Sequence, residues 1–170
     1  MHRKPKAIQK LTHRFLMLRP VSAFMARVLH HADKFALSLS RGRWTFAGLV
    51  GLPIIQLTTI GAKSGQLRTV PLVGLLDGEK IALIGTNFGK PNHPGWVHNL
   101  KANPECQVRY NRALQRYIAR FTEGQERETY WQMALSYYVG YEKYKTRARE
   151  REIAVIVLEP KPQMNTDKRK

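Results

Sequence analysis

A single cysteine among 170 residues, Cys106, excludes an internal disulfide and any multi-thiolate zinc site. It lies in a strand-like run, CQVRY, where a buried structural thiol is the expected role. Long apolar runs are also missing. A membrane-spanning helix needs roughly 18 consecutive apolar residues, and the longest candidates, GLVGLPIIQL and IAVIVL, have the length of buried strands. Near the N-terminus, Arg14 and Arg19 interrupt the apolar stretch that a signal peptide requires, so a cytoplasmic protein is expected. No internal repeat points to a solenoid or an array.

Acidic residues are scarce: 12 Asp and Glu face 29 Lys and Arg, a formal net charge of +17. Such a field draws polyanions, whether nucleic acid, anionic lipid or a phosphorylated small molecule, and composition does not choose among them. With 43% apolar residues the rest of the composition is that of a globular protein, and 170 residues suit one domain.

Residues 1–43 form a basic extension with ten Lys or Arg and one acid, Asp33. Apolar residues recur there at helical spacing, first through Ile8, Leu11, Phe15 and Leu18, then from Val21 to Leu39, with Pro20 between the two amphipathic helices. This extension suits either an anionic membrane surface or a lid packed on the rest of the chain. From residue 54 the pattern changes to strand-like runs: IIQLTT, TVPLVGLL, KIALIGT, CQVRY, LQRYIARFT and IAVIVLE. Six strands without regular helical crossovers predict an antiparallel barrel or sandwich over residues 50–160, and Asp77-Gly78 marks a hairpin.

Two peripheral helices interrupt the strands. NHPGWVHNLKANP has Asn92 or His93 as its cap and Pro94 at the first helical position; a second, Tyr-rich helix covers about residues 125–140. The tail, residues 161–170, has the composition of a disordered segment. The fold class is α+β, mainly β.

Between the first two strands lies GAKSGQLR. It is not a Walker A loop, because the G-x-x-x-x-G-K-[ST] spacing is absent and a strand follows it. It nonetheless holds the parts of an anion site. Glycines let the backbone approach closely, successive N–H groups can form a nest, and Lys63, Ser64 and Arg68 supply charge-assisted hydrogen bonds. The same residues also suit a solvated hairpin turn.

LTTIGAKSGQLRTVPL, followed by DGEKIALIGTNFGKPNHPGWVHNLKANPECQV, resembles the deazaflavin-dependent nitroreductase family. The likeness runs from about Leu52 to Val108 and rests on T-T-x-G-x-K-S-G-x-x-R-x-x-P and H-P-x-W-x-x-N-L-x-A-N-P, in the family's order. The resemblance implies a split β-barrel related to the flavin-reductase and pyridoxamine-oxidase barrels. It also implies coenzyme F420, a deazaflavin with a phosphodiester and a polyglutamate tail, which passes hydride to a small conjugated acceptor such as a nitro compound, quinone or enone.

Carried over by motif, Lys63, Ser64 and Arg68 would hold the phosphate and nearby tail, with Thr69, Val70 and Pro71 continuing that wall. Gly85, Thr86 and Asn87 would pass beside the ring, and Gly95, Trp96, His98 and Asn99 would follow at a helix start. Tyr137, Tyr138 and Tyr141 would stand over the substrate as catalytic hydrogen-bond donors. Ala62 departs from the pattern, standing where a basic residue is frequent.

Other readings remain open at the level of sequence. FMN binds related barrels through basic phosphate contacts, so KSGQLR alone does not exclude it. Nucleic acid is disfavoured because Glu142, Glu150 and Glu152 interleave with the cations of YEKYKTRARERE, as on a solvated helix. No metal site is expected: His93 and His98 are off the i, i+4 spacing and no acidic cluster joins them. An exposed barrel edge would permit a homodimer.

Overall fold

The computed structural model describes residues 52–161. The helices expected in residues 1–43, and the tail from residue 162, lie outside the described residues. Among the described residues there are seven strands: β1 (Ile54–Ile60), β2 (Leu67–Val73), β3 (Leu75–Asp77), β4 (Lys80–Ile84), β5 (Glu105–Tyr110), β6 (Ala113–Phe121) and β7 (Val155–Pro160). They form one antiparallel sheet in the order β2-β1-β5-β6-β7-β4-β3.

The two edge strands of that order, β2 and β3, are separated in the chain by Gly74 alone. Strands at opposite ends of a sheet can be joined by one residue only when the sheet curls round on itself, and the result is a half-barrel. Gly74 makes the corner: its N–H bonds the Pro53 carbonyl at 2.9 Å, and a Cβ there would stand 2.9 Å from Ile55 and 3.0 Å from Ile81. The run TVPLVGLL, expected as one strand, is therefore two. Asp77-Gly78 does turn a hairpin, with Gly78 at φ +59°. The β5–β6 hairpin turns on Asn111 and Arg112, both at positive φ as twist-matched two-residue loops require.

Period-two alternation sends Ile55, Leu57, Val108, Ile156 and Leu158 into the barrel. Burying each such side chain contributes about 1.5–3 kcal/mol. Strand β7 is covered on both faces, with Val155 and Val157 meeting an outer layer of helices. Two-sided burial explains why IAVIVL shows no alternation.

Among the described residues three α-helices accompany the sheet: α1 (Gly95–Ala102), α2 (Gly124–Tyr137) and α3 (Gly140–Ala148). In α1, Pro94 is the cap residue rather than the first helical one, at φ −65° and ψ 151°, and its carbonyl accepts from the Val97 N–H. Trp96, Val97 and Leu100 close the barrel core. The Tyr-rich helix is two helices. Tyr138 breaks it at φ −152° and ψ 106°, its ring folding over Gly140, where a Cβ would collide with that ring. No helix among the described residues is long and apolar enough to cross a membrane.

Candidate cofactor cleft

The loop between β1 and β2 is a closed turn. The Gly61 N–H bonds the Gln66 carbonyl at 2.8 Å, and the Gly65 N–H returns to the Gly61 carbonyl at 2.8 Å. Two glycines are needed: Gly65 sits at φ +65°, and a Cβ on Gly61 would stand 2.6 Å from the Ser64 hydroxyl. The turn lifts Lys63 and Ser64 clear of the sheet.

Asn99 of α1 clamps this turn to the barrel. Its Oδ1 accepts from the Ala62 N–H at 3.0 Å, while its Nδ2 donates to the hydroxyl of Thr59, which is 1% exposed, also at 3.0 Å. One amide thus fixes a helix, a strand and a loop together. Between them opens a cleft of about 740 Å³ lined by Gly61, Ala62, Lys63, Ser64, Arg68, Gly95, His98, Asn99, Lys101 and Ala102. Among the described residues the lining holds three permanent cations, an imidazole and a hydroxyl, with no carboxylate. That donor set fits a phosphate or carboxylate arm and repels a cationic one.

Six of the thirteen residues expected to bind cofactor therefore meet: Lys63, Ser64, Arg68, Gly95, His98 and Asn99. The others do not line the cleft. On β2, Arg68 lies opposite Thr59 and Val70 opposite Leu57, on the barrel side, whereas Thr69 and Pro71 point to the other face. Thr69 there pairs its hydroxyl with Thr58 at 2.8 Å. Trp96 is turned into the barrel core. Gly85, Thr86 and Asn87 belong to the β4–α1 loop, where the Gly85 and Thr86 carbonyls accept from Arg151 and the Asn87 side chain donates to the Asn92 carbonyl at 2.9 Å.

The three expected catalytic tyrosines pack in or against the outer cluster with Trp131 and Ala134, not in the cleft. Tyr138 and Tyr141 are buried, and burial pushes both phenols well above the usual tyrosine range. Tyr137 is half-buried, its phenol raised by burial and then by nearby Tyr110. Cys106 is inside the barrel, where burial pushes its thiol up to about 12. No group of three or more metal-ligating side chains occurs among the described residues.

Sequence reasoning missed Lys101 and Arg151. Lys101 follows His98 by three residues, a helical spacing that places both on one face. Arg151, in the connector between α3 and β7, looks in sequence like one more solvated cation. In the structure its guanidinium faces the β4–α1 loop and His93. Burial first, then the charges of Arg151, His98 and Lys101, holds the His93 pKa below the usual histidine value.

A curled antiparallel barrel with a cation-lined cleft at a loop and a helix start is an arrangement that suits an anionic ligand. The chain belongs to the F420H(2)-dependent quinone reductase family, whose match spans residues 39–160. It is 43% identical over 56 residues to an F420H(2)-dependent quinone reductase of Mycobacterium tuberculosis, a match covering 33% of this chain and 38% of that relative.

A solved structure described as an F420-H2 dependent reductase, FDR-A, superposes with TM-score 0.58 at 40% identity, covering 63% of this chain and 94% of that one. Another, described as a domain-swapped dimer, gives TM-score 0.59 at 40% identity, covering 63% and 80%. A heme binding protein from Mycobacterium smegmatis shares the fold alone, at TM-score 0.50 and 14% identity, covering 66% and 48%. The motif resemblance thus holds for the F420-dependent class, with quinone reductase as the family's description.

Proposed function

We propose that this chain is an F420-dependent oxidoreductase that transfers hydride from reduced coenzyme F420 to a quinone-type acceptor. The observation that carries the reading is that Lys63, Ser64, Arg68, His98 and Lys101 line one cleft, with no carboxylate among the described residues of the lining. Membership of the F420H(2)-dependent quinone reductase family supports the choice of cofactor over FMN.

When bound, the reduced deazaflavin supplies the hydride. The chain's own residues bind and orient. Lys63, Arg68 and Lys101 would neutralise the cofactor's anionic arm, and Ser64 and His98 would add directional hydrogen bonds to it. Asn99 keeps the turn at a fixed place beside α1, so the anionic arm is held without a loop rearrangement. Toward the acceptor, Tyr141 is our candidate donor, because no described residue hydrogen-bonds its buried hydroxyl. The domain-swapped dimer of one relative supports a homodimer for this chain too, which sedimentation equilibrium tests. The net charge of +17 supports attachment to an anionic membrane surface, tested by sedimentation with anionic liposomes.

The cofactor reading is tested by fluorescence titration with oxidised F420. The double variant Lys63→Ala, Arg68→Ala removes two charge-assisted contacts and is expected to weaken binding at least about tenfold, with a shallower salt dependence. Equal affinity in the variant would refute this placement of the anionic arm.

A further inference from the structure

Arg151 spends its whole guanidinium on one loop, the β4–α1 connection. Its Nε donates to the Lys90 carbonyl at 3.0 Å, Nη1 to the Gly85 carbonyl at 3.1 Å and to His93 Nδ1 at 3.3 Å, and Nη2 to the Thr86 carbonyl at 2.7 Å. No carboxylate among the described residues pairs with it. A half-buried guanidinium with neutral acceptors only is uncommon, since a surface arginine ordinarily stays solvated or finds an anion.

The gripped loop needs an external hold. Asn87, Phe88 and Gly89 are all in the left-handed region, at φ 47°, 55° and 77°, a run that is unfavourable for the two non-glycine residues. Gly89 lies so close to α3 that a Cβ would stand 2.9 Å from the Tyr144 carbonyl. Beyond His93, Pro94 alone separates the loop from Gly95, the first α1 residue in the cleft lining. His93 also meets His98 edge to face, with ring centroids 5.9 Å apart.

We infer that Arg151 is a positioning residue of the cofactor cleft: by gripping Gly85, Thr86, Lys90 and His93 it fixes the entry to α1 at Gly95 and, through the His93–His98 ring contact, the way His98 faces the cleft. The inference rests on the reading that the cleft holds the anionic arm of F420. Arginine only donates, so His93 accepts at Nδ1 and carries its proton on Nε2. A lysine in place of Arg151 has one nitrogen and cannot span four acceptors that the fork reaches with three. Because Trp96, Val97 and Leu100 anchor α1 in the core independently, loss of Arg151 should loosen the loop without unfolding the barrel.

The test uses the full chain with Arg151→Ala and Arg151→Lys. Amide exchange is followed in the cofactor-free protein at Gly89 and Lys90, whose N–H groups bond Thr86 and Asn87 carbonyls, and in β4 as a control. Affinity for oxidised F420 is measured with and without added ethylguanidinium. In Arg151→Ala, exchange at Gly89 and Lys90 should quicken and affinity fall, each by at least about tenfold, with β4 unchanged. Ethylguanidinium should restore both, and Arg151→Lys should restore neither fully.

Unchanged loop exchange and affinity would overturn the inference. So would an affinity loss that accompanies faster exchange throughout β4 and resists ethylguanidinium. If the wild-type chain fails to bind F420, the cofactor reading falls and takes the functional link with it; the exchange data still decide whether Arg151 holds the loop.

Discussion

Replacing Asn99 separates the stability of the cleft from its charge. In Asn99→Ala the Thr59 hydroxyl, 1% exposed, loses its donor, which costs about 1.5 kcal/mol. The Ala62 N–H loses its acceptor in an exposed position where water substitutes, adding about 0.5 kcal/mol. A total of about 2 kcal/mol lowers Tm by roughly 4–8 °C in a chain of this size. The freed turn also lowers F420 affinity, because Lys63 and Ser64 are no longer held in place.

Asn99→Asp behaves differently. Its carboxylate still accepts from Ala62 and can accept from the Thr59 hydroxyl, so Tm should stay near wild type. Yet it sets a negative charge into a cleft lined by Lys63, Arg68 and Lys101, and opposes an anionic arm by roughly 1–2 kcal/mol, about tenfold in affinity. Differential scanning calorimetry and fluorescence titration of both variants make the comparison. An alanine variant with wild-type Tm, or an aspartate variant that binds F420 as tightly as wild type, would refute the reasoning.

Two other outcomes follow from the outer helical layer. Tyr130 donates to Asp77 Oδ2 at 2.9 Å, and burial, then this bond, pushes its phenol from 10.0 up to about 12. The folded state therefore keeps the proton longer than the unfolded chain, a contribution present in full below pH 10 and lost as pH rises toward 12. Tyr130→Phe should cost about 1 kcal/mol at neutral pH, and its stability gap to wild type should close across that window in pH-dependent urea unfolding. Tyr141→Phe should lower quinone turnover while leaving F420 affinity unchanged; equal losses in both would assign Tyr141 to packing.

Much of the barrel was legible because its strands alternate, as in IIQLTTI, or sit between turn residues, as at Asp77-Gly78. The break at Gly74 was not, since TVPLVGLL is continuous in pattern and only the closure of a curled sheet demands a corner. On β2 the period-two signal is present in the sequence and puts Arg68 and Val70 on one face and Thr69 and Pro71 on the other. The tyrosine stripe reported a buried helix face, and sequence could not say which core that face joins.

The polar machinery was the least legible part. Asn99 was visible within its motif, but its clamp across Thr59 and Ala62 joins residues 40 and 37 positions apart in the chain. Arg151 sat in an alternating-charge run that reads as solvated, and its partners lie 58 to 66 residues away. Such contacts depend on how β7 returns beside β4, which no local pattern encodes.

The central claim is most directly tested by mixing the purified chain anaerobically with reduced F420 and a quinone, following the visible absorbance of oxidised cofactor, with reduced FMN in a parallel run. Quinone-dependent oxidation of F420 by the wild-type chain, sharply reduced in Lys63→Ala, Arg68→Ala and far exceeding that of reduced FMN, is the predicted result. Turnover with FMN alone, or F420 oxidation unaffected by the double variant, would contradict the account.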